Sequence, residues 1–103
     1  MLDAAEEALE FVADRSRADL QSDRQLTLAL VKSIEIIGEA ASQLSAPSRE
    51  SHPDVPWAAI VGMRNRLVHV YFEIDLDRLW DTTQEDLVPL VAQLRGIFDT
   101  ETS

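Results

Sequence analysis

A regularly spaced row of apolar residues between positions 26 and 44 most constrains the fold of this chain. Its members lie three or four residues apart, and they are Leu26, Leu30, Ile34, Ile37, Ala41 and Leu44. This spacing follows the turn of an α-helix, so the side chains share one face. We predict a long helix, capped by Ser22 or Asp23, that forms the spine of a helical bundle.

The segments on either side of this helix also favour helices. Leu2, Ala5, Leu9 and Val12 recur at steps of three and four residues, which predicts a first helix ending near Ser16. A polar linker follows over residues 17–22. Gly38 lies inside the long helix, where glycine costs about 1 kcal/mol relative to alanine. A close crossing with another helix would compensate for this cost.

The second half of the chain predicts two more helical segments. Residues 46–56 hold three of the four prolines and form a connection, with one helical turn around residues 48–51. Pro56 begins a third helix that ends near Val70. Asp75 or Asp77 caps the last segment, in which Pro89 predicts a kink or break at about residues 83–87.

No stretch alternates apolar and polar residues long enough to predict a strand. The predicted fold class is therefore all-α, a four-helix up-and-down bundle with a kinked or broken C-terminal helix. With 103 residues and 46% apolar residues, the chain fits one domain over residues 1–103.

The composition excludes several classes of protein. The chain has no cysteine, which excludes disulfides and thiolate metal sites, and no apolar run approaches the roughly 20 residues that cross a bilayer. We expect a cytoplasmic protein with no membrane contact. A net charge of −10 opposes sequence-blind binding to nucleic acid, so any contact with RNA must be local or helped by a partner.

Residues 62–71 contain the side chains best suited to chemistry. Arg64, His69 and the only tyrosine, Tyr71, occur within eight residues. Arginine can neutralise a phosphate, histidine can move a proton near neutral pH, and tyrosine can be a nucleophile or a modification target. Asn65 lies four residues before His69 and can orient its imidazole. Five residues rotate a helix by about 140°, so a site built on Arg64 and His69 needs another surface to complete it.

Structural interpretations of the same residues stay open at this point. His69 can be a half-buried histidine bonded to a backbone carbonyl, and Tyr71 a core ring with a bonded hydroxyl. Arg66 fits a solvated cation at the rim of the site. A metal site of His69 with the acids at 73, 75 and 77 is disfavoured because these acids fall in a turn and a capping position. His52 belongs to a turn.

Three other residues have simpler interpretations. Trp57 and Trp80 lie in apolar helical stripes, which favours core anchors over platforms for base stacking. Glu39 lies beside Gly38 and can pair with Arg64 or Arg66 if the second and third helices pack together.

The order of these landmarks resembles the HepT-like branch of the HEPN superfamily over most of the chain, from about Met1 to Phe98. The matching segments are Ile37-Gly38-Glu39-Ala40, Pro56-Trp57, Gly62-Met63-Arg64-Asn65-Arg66-Leu67-Val68-His69-x-Tyr71 and Trp80. The resemblance implies a helical bundle that forms a homodimer and brings two Arg-x4-His motifs together in an interface cleft.

The resemblance also implies an activity and a partner. It implies a metal-independent endoribonuclease without a cofactor, the toxin of a type VII toxin-antitoxin system. Arg64 and His69 would be catalytic, with Asn65 and Arg66 in support. The cognate antitoxin would be a minimal nucleotidyltransferase that transfers AMP to Tyr71. Two alternatives are a catalytically weak module that docks this partner, and a purely structural bundle.

Overall fold

The computed structural model describes residues 1–67 and 73–102, and all regular elements in these ranges are helices. The first half contains α1 (Leu2–Val12), α2 (Asp19–Ser22), α3 (Arg24–Ser42) and α4 (Ala46–Glu50). The second half contains α5 (Trp57–Val61), α6 (Met63–Leu67), α7 (Leu76–Asp81), a π-helical segment (Thr82–Leu87) and α8 (Val88–Thr102). The all-α class is confirmed, whereas the up-and-down arrangement of four helices stays a prediction.

Helix α3 is the spine that the apolar spacing predicts. Leu26, Leu30, Ile34, Ile37 and Ala41 are buried, and Leu44 lies half-buried just beyond the end of the helix. Helix α1 packs against α3 and α8, while α5 and α6 pack against α3. Most helical stability comes from burying such apolar faces, so α3 organises the core.

Gly38 lies where α3 and α5 approach each other closely. A Cβ atom built at Gly38 would lie 3.4 Å from the carbonyl oxygens of both Ile60 and Val61. The backbone of α5 therefore rests directly against the glycine. This confirms the close helix crossing predicted for Gly38 and sets the distance between α3 and the segment that carries Arg64.

The first helix ends earlier than the periodicity predicts, at Val12 instead of near Ser16. Ala13 has an extended backbone, and Asp14 has a φ of 61°, in the left-handed region that breaks a helix. The polar linker is also more ordered than predicted, since it contains α2. The Thr27 hydroxyl donates a buried hydrogen bond of 2.9 Å to the carbonyl of Leu20 and fixes α2 on α3.

The predicted third helix is interrupted at Gly62, which separates α5 from α6. Glycine has low helix propensity, so a tertiary contact can end a helix there at little cost. The Asn65 N–H donates to the Gly62 carbonyl at 3.1 Å in a tighter, three-residue turn. The predicted end near Val70 lies outside the described residues, because residues 68–72 are not among them.

The C-terminal segment has the predicted cap, and a π-helical stretch lies at the residues where a kink or break was predicted. The Asp75 carboxylate accepts a hydrogen bond of 3.0 Å from the Arg78 N–H and caps α7. The π-helical segment occupies residues 82–87, immediately before the turn that contains Pro89. Proline lacks an amide hydrogen and clashes with a preceding carbonyl, and a wider helical turn accommodates both effects.

Both tryptophans pack against the core, as predicted from their apolar stripes. Trp57 also donates its indole N–H to the carbonyl oxygens of Arg49 and His52, each at 3.1 Å. The His52 carbonyl accepts the Val55 N–H at 3.2 Å as well, which confirms that His52 belongs to a turn. None of the helices within the described ranges is long and apolar enough to cross a membrane.

The Asp23 carboxylate at the N-terminus of α3 should make the fold less stable in acid. The Arg15 guanidinium donates to the Asp23 carboxylate at 2.7 Å, and the Leu26 N–H donates to the same carboxylate at 3.0 Å. Together they hold the pKa of Asp23 below its usual value, with the bond from Arg15 as the larger cause. Asp23 therefore stabilises the fold above the unfolded-state pKa of about 3.9, and this contribution is lost as pH falls through the lower, folded-state pKa.

We expect the melting temperature of the wild-type protein to fall more steeply in strong acid than that of Asp23→Asn. Asparagine keeps an oxygen that caps the helix, but it has no charge to lose. Thermal unfolding of both proteins from neutral to strongly acidic pH measures this difference. Equal falls in melting temperature would contradict the role of the Asp23 charge.

Candidate active site

Arg64 lies at the rim of an open groove between α3 and the α5–α6 segment. The groove has a volume of about 600 Å³. Its lining comprises Lys32, Glu35, Ile36, Gly38, Glu39, Ala40, Ser42, Val61, Arg64 and Asn65. Lys32, Glu35, Glu39 and Ser42 are spaced by three and four, so α3 presents one face toward α5 and α6. The groove is large enough to admit a nucleotide-sized group.

The guanidinium of Arg64 is held by a carboxylate of α3. Nε of Arg64 donates to Oε1 of Glu35 at 2.8 Å, and the Arg64 side chain remains 40% exposed. The predicted pairing of Glu39 with Arg64 or Arg66 is therefore wrong. The partner of Arg64 is Glu35, one helical turn earlier, and Arg66 bonds to the Ala59 carbonyl. Glu39 instead accepts a hydrogen bond of 3.0 Å from the side-chain amide of Gln43. Glu39 nevertheless lines the same groove.

Lys32 brings a second cation to this groove. Its Nζ lies 3.8 Å from Oε2 of Glu35, so the two oxygens of this carboxylate face different cations. Lys32 is the only lysine in the chain, and its side chain is 72% exposed. Lys32 and Arg64 balance Glu35 and Glu39, which makes the groove far less negative than the protein as a whole.

The remaining predicted site residues occupy different places. Asn65 lines the groove next to Arg64, whereas Arg66 lines a second groove with Asp54, Glu85 and other residues. Nη2 of Arg66 donates to the Ala59 carbonyl at 2.6 Å. The structure thus brings Arg64 and Asn65 together and separates Arg66 from them.

His69 and Tyr71 lie outside the described residues, so their predicted roles stay predictions. The Asp75 N–H donates to the carbonyl of Leu67 at 2.8 Å, and Leu67 is fully buried. Leu67, three residues after Arg64, is therefore held to Asp75 by the backbone.

Glu35 and Lys32 are the members of the groove that sequence reasoning missed. The contact of Glu35 with Arg64 joins residues 29 positions apart and depends on how α3 and α6 pack. One signal was present, since Lys32, Glu35 and Glu39 recur at helical spacing on α3. Among the described residues, no group of three or more His, Cys, Asp or Glu side chains could hold a metal ion.

Fold and groove together define an all-α protein with an arginine displayed at an open cleft. Residues 1–97 match the family model described as ribonuclease HepT-like. The chain is 39% identical to a candidate RNase of Caldanaerobacter subterraneus subsp. tengcongensis, over 98% of this chain and 90% of that protein. It is 37% identical to a candidate RNase of Methanocaldococcus jannaschii, over 84% of this chain and 80% of that protein.

A third relative carries the family name itself. The chain is 33% identical to the probable ribonuclease HepT of Thermococcus cleftensis, over 90% of this chain and 84% of that protein. No solved structure matches the chain significantly. The chain belongs to the HepT-like ribonuclease family, which confirms the resemblance, and its enzyme class is endoribonuclease.

Proposed function

We propose that the protein is a metal-independent endoribonuclease in which Arg64 and His69 act on the scissile phosphate. The observation that carries this proposal is the position of Arg64, whose half-exposed guanidinium is fixed at the rim of an open groove. Arginine stays charged at every working pH and can bind two phosphate oxygens at once. The family assignment supports RNA as the substrate class.

The chemistry needs a proton transfer and a stabilised negative charge. The RNA 2′-hydroxyl attacks the neighbouring phosphorus when a base removes its proton, and the bond to the 5′-oxygen of the next nucleotide breaks. His69, with an unperturbed pKa of about 6.5 for its side-chain type, is suited to this transfer. Arg64 stabilises the charge that grows on the phosphate. The product then carries a 2′,3′-cyclic phosphate.

A homodimer would complete the site, because the second His69 could protonate the leaving oxygen. The groove supports such a partner surface. Ile36 and Val61 are 46% and 37% exposed and line the groove beside Arg64. Burying such apolar side chains favours association. Asn65 would orient His69, and Arg66, which lines the second groove, would support the site only through its positive charge.

We infer a specific biological role for this activity, that of the toxin in a type VII toxin-antitoxin system, acting on RNA in the cytoplasm. A minimal nucleotidyltransferase antitoxin would transfer AMP to Tyr71. Tyr71 lies two residues from His69, so the added anion would repel and obstruct an RNA phosphate. Inhibition would then follow from the position of the modified residue.

His69→Ala tests the assignment of the catalyst. We expect this variant to lose RNA cleavage by about 10²–10⁴-fold, the usual contribution of a general acid–base, with an unchanged melting temperature. Purified protein is incubated with RNA in the presence of a chelator, and the products are analysed for 2′,3′-cyclic phosphate ends. Cleavage by both proteins, or by neither, would exclude His69 as the catalyst.

A second candidate is a catalytically weak module that docks the nucleotidyltransferase. It is favoured by the pairing of Arg64 with Glu35 and by the net charge of −10, since both oppose the binding of RNA. Under this alternative, the wild-type protein would bind the partner and accept AMP, but it would not cleave RNA. The chelator experiment separates the two.

A further inference from the structure

Glu35 places a negative carboxylate beside Arg64, where the proposed function needs positive charge. Its two oxygens face Nε of Arg64 at 2.8 Å and Nζ of Lys32 at 3.8 Å. Exposed ion pairs of this kind add little to stability. A negative charge beside Arg64 also repels an RNA phosphate. Neither the stability of the fold nor affinity for RNA therefore explains the contact between Glu35 and Arg64.

The geometry of the contact suggests that role. Guanidinium is a planar fork whose N–H groups point in fixed directions. The hydrogen bond to Glu35 uses Nε, and it leaves the edge formed by Nη1 and Nη2 out of the contact. That free edge can bind two oxygens of a phosphate side by side. Holding Nε thus sets the direction in which the phosphate-binding edge points.

Glu35 is attached to a helix that is packed into the core. Its neighbour Ile34 is completely buried, as is Ile37, so the α3 backbone that carries the carboxylate is packed into the core. Arg64 itself has a long side chain with many rotamers and lies on the short helix α6. A fixed acceptor on α3 removes much of that rotational freedom before substrate binds.

We propose that Glu35 is a positioning residue for RNA cleavage, which holds Nε of Arg64 so that its Nη1–Nη2 edge meets the scissile phosphate. This inference rests on the proposed role of Arg64. It predicts that loss of Glu35 lowers both kcat and KM, so that catalysis weakens while RNA binding strengthens. Removing Glu35 releases the guanidinium and lowers kcat, while removing its charge strengthens RNA binding and lowers KM.

Kinetics of Glu35→Ala and Glu35→Gln, measured with one RNA oligonucleotide, test this split. We expect Glu35→Ala to lower kcat by about tenfold to a hundredfold, the range that misplacement of a catalytic group produces, and to lower KM as well. Glu35→Gln keeps an oxygen that accepts the Nε–H, so it should retain most of the wild-type kcat. A purely structural role would not give this rescue together with a lower KM.

Glu6→Ala is the matched control because Glu6 accepts a hydrogen bond from Nε of Arg95 at 3.3 Å, away from the groove. This variant loses the same kind of ion pair and should keep the wild-type kcat and KM. Glu39→Ala removes an equal charge from the groove without breaking the contact to Arg64, and it reports the charge effect alone.

An unchanged kcat in Glu35→Ala would overturn the positioning role, as would a Glu35→Gln variant that is as slow as Glu35→Ala. If the wild-type protein cleaves RNA and these outcomes occur, only the role of Glu35 fails. If the wild-type protein does not cleave RNA at all, the proposed function fails and the role of Glu35 fails with it.

Discussion

Replacing Arg64 with alanine is expected to lower kcat for RNA cleavage by about 10²–10³-fold, the usual cost of removing a group that stabilises charge in a transition state. The melting temperature should change little, because the ion pair with Glu35 is partly exposed and such pairs contribute weakly to stability. A large loss of activity without a loss of stability would identify Arg64 as part of the chemistry. Single-turnover cleavage and thermal unfolding, measured on the same preparation, give both quantities.

One further variant separates charge from geometry at this position, and a second, at Arg95, is the control. Arg64→Lys keeps a positive charge but loses the planar fork, so its kcat should stay well below the wild-type value. Arg95→Ala removes an exposed arginine that pairs through Nε with Glu6, and it should cleave RNA at the wild-type rate. Full activity of Arg64→Lys would show that only the charge matters. Full activity of Arg64→Ala would refute the proposed role of this residue.

The second large effect is expected for Tyr71→Phe in the presence of the nucleotidyltransferase and ATP. The wild-type protein should lose RNase activity as it gains the mass of AMP, whereas Tyr71→Phe should stay unmodified and active. The physical reason is that phenylalanine lacks the hydroxyl to which AMP is attached. Intact-protein mass spectrometry and RNA cleavage, followed over the same time course, measure modification and inhibition together.

A matched control uses the inactive His69→Ala variant, which retains Tyr71. It should still gain AMP, and this shows that recognition by the partner does not require catalysis. If the partner neutralised Tyr71→Phe as fully as the wild-type protein, inhibition would have to arise from binding or from another modified residue, and the role proposed for Tyr71 would be wrong.

Local signals in the sequence predicted the parts of the fold that depend on local contacts. The stripe on α3 is buried as expected, and the carboxylates of Asp23 and Asp75 cap the helices that follow them. These features involve residues within a few positions of one another, so spacing alone determines them. Pro89 belongs to the same group, because its missing amide disturbs the helix directly before it.

Features that depend on tertiary packing could not be predicted from local sequence signals. Helix α1 ends at Val12, and Asp14 just after it has a left-handed backbone that the apolar spacing does not indicate. At Gly62 the sequence is compatible with either a continuous helix or a break, and the structure has the break. Glu35 was missed because its partner is set by the approach of α6 to α3. The sequence predicted Arg64 as the cation of the site, but only the tertiary structure shows its contact with Glu35.

The π-helical segment at Thr82–Leu87 determines where the C-terminal part of the chain can differ in length. A π-helical turn holds one more residue than an α-helical turn and is equivalent to a single-residue insertion in the helix. The wider turn absorbs the extra residue locally, so the residues that follow keep the register of a uniform α-helix one residue shorter. In α8 itself each residue turns the helix by about 100°, and a change of one residue there would turn the buried Leu90, Val91 and Leu94 out of the core. The π-helical turn is therefore the place in this segment where the chain length can differ by one residue while the apolar face of α8 still faces α1.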